Sequence, residues 1–249
     1  MNDGVQLAPY RLAALVAPAV DRVVRAAMTA GRELGGAEVS QRYGGPASTG
    51  FLVEFRTRLA APGGTVSRAG FAAVTRYREP TECQRALDKQ VAHAMIHRQP
   101  DGSFQATDRG RAFLGEIHQL HARVTRALWD GHSERVSRLV ELAGRMLVAA
   151  AEDGGEAFRT MAPPYEPDGT PPEVLLLDRL GTLRFHRADA HAEAWTAAGH
   201  TWRSIVALPP GPERLAIEQE TDRRAAGPYA VLSAEERLVL LADLAALPG

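Results

Sequence analysis

The chain has 249 residues and a formal charge of -1, with 45% hydrophobic and 24% charged residues. This is globular composition, long enough for one large or two small domains and too balanced for a basic nucleic-acid coat or an acidic disordered tail. The single cysteine, Cys83, excludes an intrachain disulfide framework and a cysteine-based zinc finger.

An unpaired thiol fits a reducing cytoplasm, which is the expected location. No apolar run approaches the ~18 residues of a membrane span, so no membrane partner is expected. Met1-Asn2-Asp3-Gly4 has neither the basic nor the apolar region of a secretory signal. Lys89 is the only lysine, which with the abundant alanine reads as the coding bias of a GC-rich bacterial genome. The charge is uneven along the chain. Residues 1–130 carry 17 basic and 12 acidic side chains, a balance of +5, whereas residues 131–249 carry 12 and 18, a balance of -6. A basic front half is the place to look for an anion-binding face.

In chain order, apolar Leu12, Val16, Val20, Val23 and Ala27 recur at helical spacing from Pro9, and Pro18 is expected to kink or split that helix. Gly35-Gly36 and Gly44-Gly45-Pro46 mark loops. A short helix is expected over 50–59, ended by Pro62-Gly63-Gly64. Another is expected over 66–77, capped by Ser67 or Thr65. Arg78-Glu79-Pro80 breaks it. Thr81 then caps a helix over 82–95, with Cys83, Leu87, Val91 and Ala94 on its apolar face and Gln84, Arg85, Asp88 and Lys89 on the other.

Residues 96–98 and 103–106 flank a Pro100-Asp101-Gly102 turn and read as a small hairpin. Thr107 caps a long helix with Phe113, Ile117, Leu120, Val124 and Leu128 on one side. Ser133 caps the next, which buries Val136, Leu139, Val140, Ala143 and Leu147. Proline-rich residues 161–172 read as a linker. Two helices follow over 173–180 and 185–198, with Gly199 as a stop. Another runs from Gly211-Pro212 towards Ala226. The last opens with a capping box, Ser233 and Glu236, and carries a stripe of Leu238, Leu241, Leu244 and Leu247. The expected fold is mainly α, with a helix-turn-helix region and N-terminal helices over 1–130 and a helical bundle over 131–249.

Helix, turn, helix, hairpin, helix is the order of a winged helix-turn-helix. The stretch Ile96-His97-Arg98-Gln99-Pro100-Asp101-Gly102-Ser103-Phe104-Gln105-Ala106-Thr107-Asp108-Arg109-Gly110 resembles the wing of the MarR-like winged-helix superfamily: an apolar residue, a base, an Asp-Gly turn, then Thr-x-x-Gly opening a helix. That resemblance covers roughly 65–130. Residues 55–64 and 183–191 are similar to two stretches of an actinobacterial group of winged-helix proteins. They depart from it by a missing Leu between Pro62 and Gly63 and by Phe185 in place of a hydroxylated aromatic. The resemblance implies a winged-helix fold, homodimerisation through the Pro9 helix and the last helix, and operator DNA as partner.

Read as chemistry, Gln84 can meet an adenine edge, Arg85 a guanine edge, and Lys89 completes that face. Arg76, Arg78 and Arg98 are placed to neutralise phosphates. Glu79, Glu82 and Asp88 oppose this. A second cluster, His186, Arg187, Asp189, His191 and Trp195, is the candidate ligand site. His186 and Asp189 share a helix face and could orient one imidazole. The alternative for this cluster is a buried polar network. His191 lies about 140° round a helix from His186, so the pair is not a metal helix. The pairs His93/His97 and His118/His121 have ligand spacing but no third group. No nucleophile elbow, phosphate loop, dinucleotide fingerprint or metalloprotease motif is present, so no cofactor is expected and the balance is against an enzyme, although the question stays open. Two functions stay open. One is a dimeric DNA-binding transcriptional regulator responsive to a small-molecule effector. The other is a winged-helix scaffold that has lost DNA binding and binds or transforms a small molecule.

Overall fold

A computed structural model describes residues 7–249, and the reading of Met1-Asn2-Asp3-Gly4 lies outside the described residues. With 73% of the described residues in helices and 3% in strands, the fold is mainly α. Helix α1 (Pro9–Gly31) runs unsplit through Pro18. The proline sits on the exposed side. The carbonyl it deprives of a partner therefore lies towards water rather than in the core. A π-type turn at Arg32–Gly36, with Gly35 at φ 131°, leads into α2 (Ala37–Arg42).

The helix expected over 50–59 starts earlier and is two helices, α3 (Pro46–Glu54) and α4 (Arg56–Leu59). They break where Phe55 buries its ring. Thr65–Val66 is a strand, β1, rather than the start of a helix. Helix α5 (Arg68–Val74) is capped by Ser67, which accepts the Gly70 N–H at 2.9 Å. Helix α6 (Pro80–Ala92) begins before Thr81, with Pro80 in its first turn. Its inward side carries Cys83, Leu87 and Gln90, while Val91 and Ala94 are exposed. Ala94 (φ 54°) ends the turn that leads into β2 (Ile96–Arg98). β2 pairs antiparallel with β3 (Phe104–Ala106), which also pairs with β1, giving the order β1-β3-β2. Thr107 caps α7 (Asp108–Leu128) as expected.

Helix α8 (Ser133–Asp153) takes Ser133 as its first residue, not as its cap. A short α9 (Glu156–Met161) follows. The two helices expected over 173–198 are one, α10 (Pro172–Ala197). A lone glycine, Gly181, costs a helix only about 1 kcal/mol. The burial of Leu176, Leu177, Leu180 and Leu183 along the same helix outweighs that. Gly199 (φ 82°) ends the chain's turn out of it. Then come α11 (Trp202–Ala207), α12 (Pro212–Arg224), α13 (Gly227–Ala230) and α14 (Ala234–Ala246). The Ser233/Glu236 capping box is reciprocal. Leu240, Leu244 and Leu247 face inward, and Leu238 is 52% exposed, so the expected stripe is partly displaced.

Two cores result. One joins Val16, Val20 and Val23 of α1 to Leu139, Leu177 and Leu244 and the ring of Trp129. The other gathers Phe51, Phe55, Phe71 and Phe104 over the sheet, edge to face except for Phe55 and Phe71, which stack. The segment from Ala162 to Pro171 lacks regular structure but is pinned near its middle. Tyr165 donates its N–H to the Thr57 carbonyl at 3.0 Å, and Glu166 takes a two-pronged pair from Arg179 at 2.7 and 2.6 Å. Among the described residues no helix is long and apolar enough to cross a membrane.

His121 on α7 is 4% exposed. Burial, with smaller help from Arg56 and His118, holds its imidazole down at about 3. The folded chain therefore keeps it neutral while the unfolded chain takes a proton below its ordinary value of roughly 6.5. Stability contributed by this group is complete above that value and is lost as the pH falls towards 3. At about 1.4 kcal/mol per unit of difference, the loss should reach a few kcal/mol. Urea unfolding at pH 7, 5 and 4 should show a flatter acid limb for His121→Met than for the parent. Parallel acid limbs would contradict this.

Candidate functional site

Of the six residues nominated on the basic face, five stay around α6 and one parts from them. Gln84 donates to Asp88 at 2.9 Å, and Arg98 donates to the same carboxylate oxygen at 2.8 Å. Arg78 pairs with Glu54 at 2.8 Å. Arg85 and Lys89 stay exposed on α6. Arg76 does not face solvent. Its guanidinium, 16% exposed, turns inward to Asp189 on α10 and donates to the carbonyl oxygens of Ala73 and Ala188 at 2.6 and 3.4 Å.

The turn between α5 and α6 is docked against the back half. Besides the Arg76–Asp189 pair, Tyr77 packs with Trp195, and Glu79 pairs with Arg203 on α11 at 2.6 Å. Asp189 is 5% exposed. It also accepts the N–H groups of Ala157 and Phe158, at 3.3 and 2.8 Å. Those are orphan donors at the start of α9, so Asp189 serves as that helix's cap from another element.

The second cluster separates as well, because side chains on one helix radiate. His186 does not reach Asp189. It meets Asp153 on α8 at 2.8 Å and packs edge-on against Phe158. Glu193 pairs with Arg224 at 3.0 Å. Arg187 and His191, one turn apart, face a cavity of about 560 Å³ between α1, α10 and α12–α14. Apolar Val16, Val20, Leu180, Leu183, Leu240 and Leu244 form its long wall. Tyr77, Arg187, His191, Glu218 and Tyr229 form a polar end.

The hydrogen bonds at that end assign a tautomer. Trp195 Nε1–H can only donate, and it does so to the Tyr77 hydroxyl at 3.2 Å. The Tyr77 hydroxyl also bonds His191 Nδ1 at 2.8 Å, and as no other acceptor meets its proton among the described residues, the arrangement that leaves no proton idle has Tyr77 donating. His191 thus carries its proton on Nε2, which is buried and has no hydrogen-bond partner, the Glu218 carboxylate being 3.7 Å away. Arg187 Nη1 is likewise buried and unpartnered. Its Nη2 lies 2.8 Å from Asp222 Oδ1, close enough to pair charges but off the line of a hydrogen bond, so that oxygen is orphaned too.

Burial is the main cause that holds the His191 imidazole below its usual range. Glu218 pulls it the other way, and Arg187, Arg214 and Arg76 reinforce the burial. Dense surroundings push the Tyr229 phenol up to about 12, although part of its ring is accessible from the cavity. Both groups are therefore neutral donors at pH 7.

Sequence reasoning missed Tyr77, Tyr229, Glu218 and Asp222, which come from other helices and carry no local motif. It also missed the buried pair Arg56–Asp178 at 2.7 Å. Cys83 is buried on α6, on the core side where its spacing put it. Among the described residues no three His, Cys, Asp or Glu side chains are grouped to hold a metal ion. No protein-family model, curated protein or solved structure matches this chain.

Proposed function

We propose that β1–β3 with α5–α7 form a winged helix that serves as a scaffold, and that the protein binds a small molecule in the cavity beneath Arg187 and His191. One observation carries this reading. Two buried donors, Arg187 Nη1 and His191 Nε2, are unpartnered on residues that line a cavity large enough for a ligand. Buried polar groups left without partners each cost about 1–3 kcal/mol, so a site that keeps several together is built for an occupant.

The charges there set the ligand's chemistry. Arg187 is balanced by Asp222 and Glu218, and His191 is neutral. At that polar end, a fixed negative or positive charge on the ligand finds no counter-ion to spare. The fitting molecule is uncharged, with an apolar body along the leucine wall and a hydroxyl, carbonyl or amide at its polar end. Octanamide is a suitable probe. Calorimetric titration should give saturable binding near one per chain, with octanoate and octylamine weaker. His191→Leu should weaken octanamide about tenfold, the value of one good hydrogen bond. Ala17→Trp, which fills the cavity, should abolish binding. Because burial holds the His191 imidazole below its ordinary range, affinity should be level from pH 8 to 7 and fall only in more acid solution, once a proton on Nδ1 ejects the Tyr77 hydrogen bond. Binding that ignores both substitutions overturns the proposal.

The second reading is a dimeric, operator-binding regulator in the cytoplasm. The exposure of Gln84, Arg85 and Lys89 on the outer face of α6 favours it. Against it, Asp88 occupies both Gln84 and Arg98, and α10 and α11 cover the turn through which a recognition helix approaches phosphates. A gel shift of promoter DNA at low salt that weakens with Arg85→Ala and Lys89→Ala would restore this reading.

A further inference from the structure

A second, larger cavity shares only Arg184 with the walls of the one above. It is a cleft of about 830 Å³ between α1, α3, α6 and α10. Its walls carry Phe51, Met161 and Phe185, and its floor the Arg56–Asp178 pair. Gln90 also lines it, at 1% exposure, and its Oε1 has no hydrogen-bond partner. A buried amide oxygen in a cleft wall calls for a donor that the protein does not supply.

The electrostatics differ from those of the first cavity. Three of the carboxylates lining the cleft are engaged: Glu54 by Arg78, Asp178 by Arg56, and Asp88 by Arg98. Asp21 must serve both Arg25 and Arg184, at 2.6 and 2.5 Å, so Arg184 is only half compensated. Arg85 makes a single hydrogen bond, to the Thr81 carbonyl at 3.3 Å, and Lys89 stands exposed beside it. Against these cations only Glu82 remains at the rim. A low-dielectric cleft with surplus positive charge concentrates anions.

We propose that this cleft is a second ligand site, and that it takes an apolar, aromatic-sized molecule carrying one anionic group. The body packs on Phe51 and Phe185. The anion meets Arg85 and Lys89. An N–H or O–H of the ligand satisfies Gln90 Oε1. The bases that resemble DNA-reading residues on α6 then have a small-molecule partner, and the two cavities differ in the charge of what they accept.

The test uses the full chain and 8-anilinonaphthalene-1-sulfonate, which has an aromatic body, one N–H and one sulfonate. Fluorescence titration should show saturable binding near one per chain. Arg85→Glu with Lys89→Glu, both exposed, should weaken it at least tenfold. Gly50→Trp should abolish it, because a Cβ at Gly50 meets nothing within 4 Å and the new ring can enter the cleft without strain. Ala17→Trp, which fills the other cavity, should leave the titration unchanged, so failure here and failure of the octanamide site are separable. If Gly50→Trp lowers the melting temperature, the charge-reversal variant decides. Absence of saturable binding, an unchanged titration in the charge-reversal variant, or loss on Ala17→Trp instead would overturn the proposal.

Discussion

Asp189→Ala is expected to destabilise the protein by about 3–5 kcal/mol, the range for removing one partner of a buried ion pair. The carboxylate holds three donors at once: the Arg76 guanidinium and the N–H groups of Ala157 and Phe158. Removing it strands a guanidinium that is 16% exposed and uncaps α9. Arg76→Leu should cost less, because Asp189 keeps both backbone donors and loses only its cation. The double variant should cost less than the sum of the two, since both delete the same contact. Urea unfolding followed by tryptophan fluorescence measures all three. A cost below about 1 kcal/mol for Asp189→Ala would place the pair with weak surface bridges. A larger cost for Arg76→Leu would show that the cap carries little.

Gly110→Ala should cost about 3 kcal/mol or more, at the upper end of what overpacking does. Gly110 lies in the first turn of α7, and a Cβ there would overlap the Met95 carbonyl oxygen. That oxygen cannot simply move aside. It accepts from the Thr107 N–H at 3.1 Å, the Thr107 hydroxyl holds the preceding carbonyl of Ala94 at 2.6 Å, and the next residue, Ile96, pairs with Ala106 in the sheet. The added methyl therefore has to pry α7 away from the hairpin. Thr107→Ala, which removes the cap but adds no bulk, should cost only about 1 kcal/mol. Thermal unfolding of the two variants should rank Gly110→Ala far below Thr107→Ala, and equal midpoints would contradict the steric explanation.

Gly110 also shows what the sequence made legible. Thr107, Gly110 and the Asp101-Gly102 turn are local signals, and the helix start and hairpin they mark are where they should be. The Ser233/Glu236 box and the buried side of α6 around Cys83 and Leu87 are local in the same sense. β1 is not, because two residues become a strand only by pairing with Gln105 and Phe104, about 40 positions later. The unity of α10 was hidden by Gly181, whose low helix propensity was outweighed by burial.

The candidate site was half legible. Adjacency in sequence gathered His186, Arg187, Asp189, His191 and Trp195, yet a helix turns 100° per residue and sends them to four neighbours. Only Arg187 and His191 reach the cavity, and their partners Tyr77, Glu218 and Tyr229 lie roughly 30 to 110 positions away. The surplus of basic residues in the front half is partly neutralised within the fold. Glu54, Asp88 and Asp189 absorb four of the six nominated side chains once the chain is folded.

The proposed function stands or falls on what fills the polar end of the smaller cavity. The deciding measurement is a crystal structure of the full chain grown with octanamide. The amide is expected within hydrogen-bond distance of His191 Nε2 and Arg187 Nη1, with the alkyl chain along Leu180, Leu183 and Leu244. A structure in which those two donors meet protein acceptors, with the cavity closed and the amide elsewhere, would contradict it.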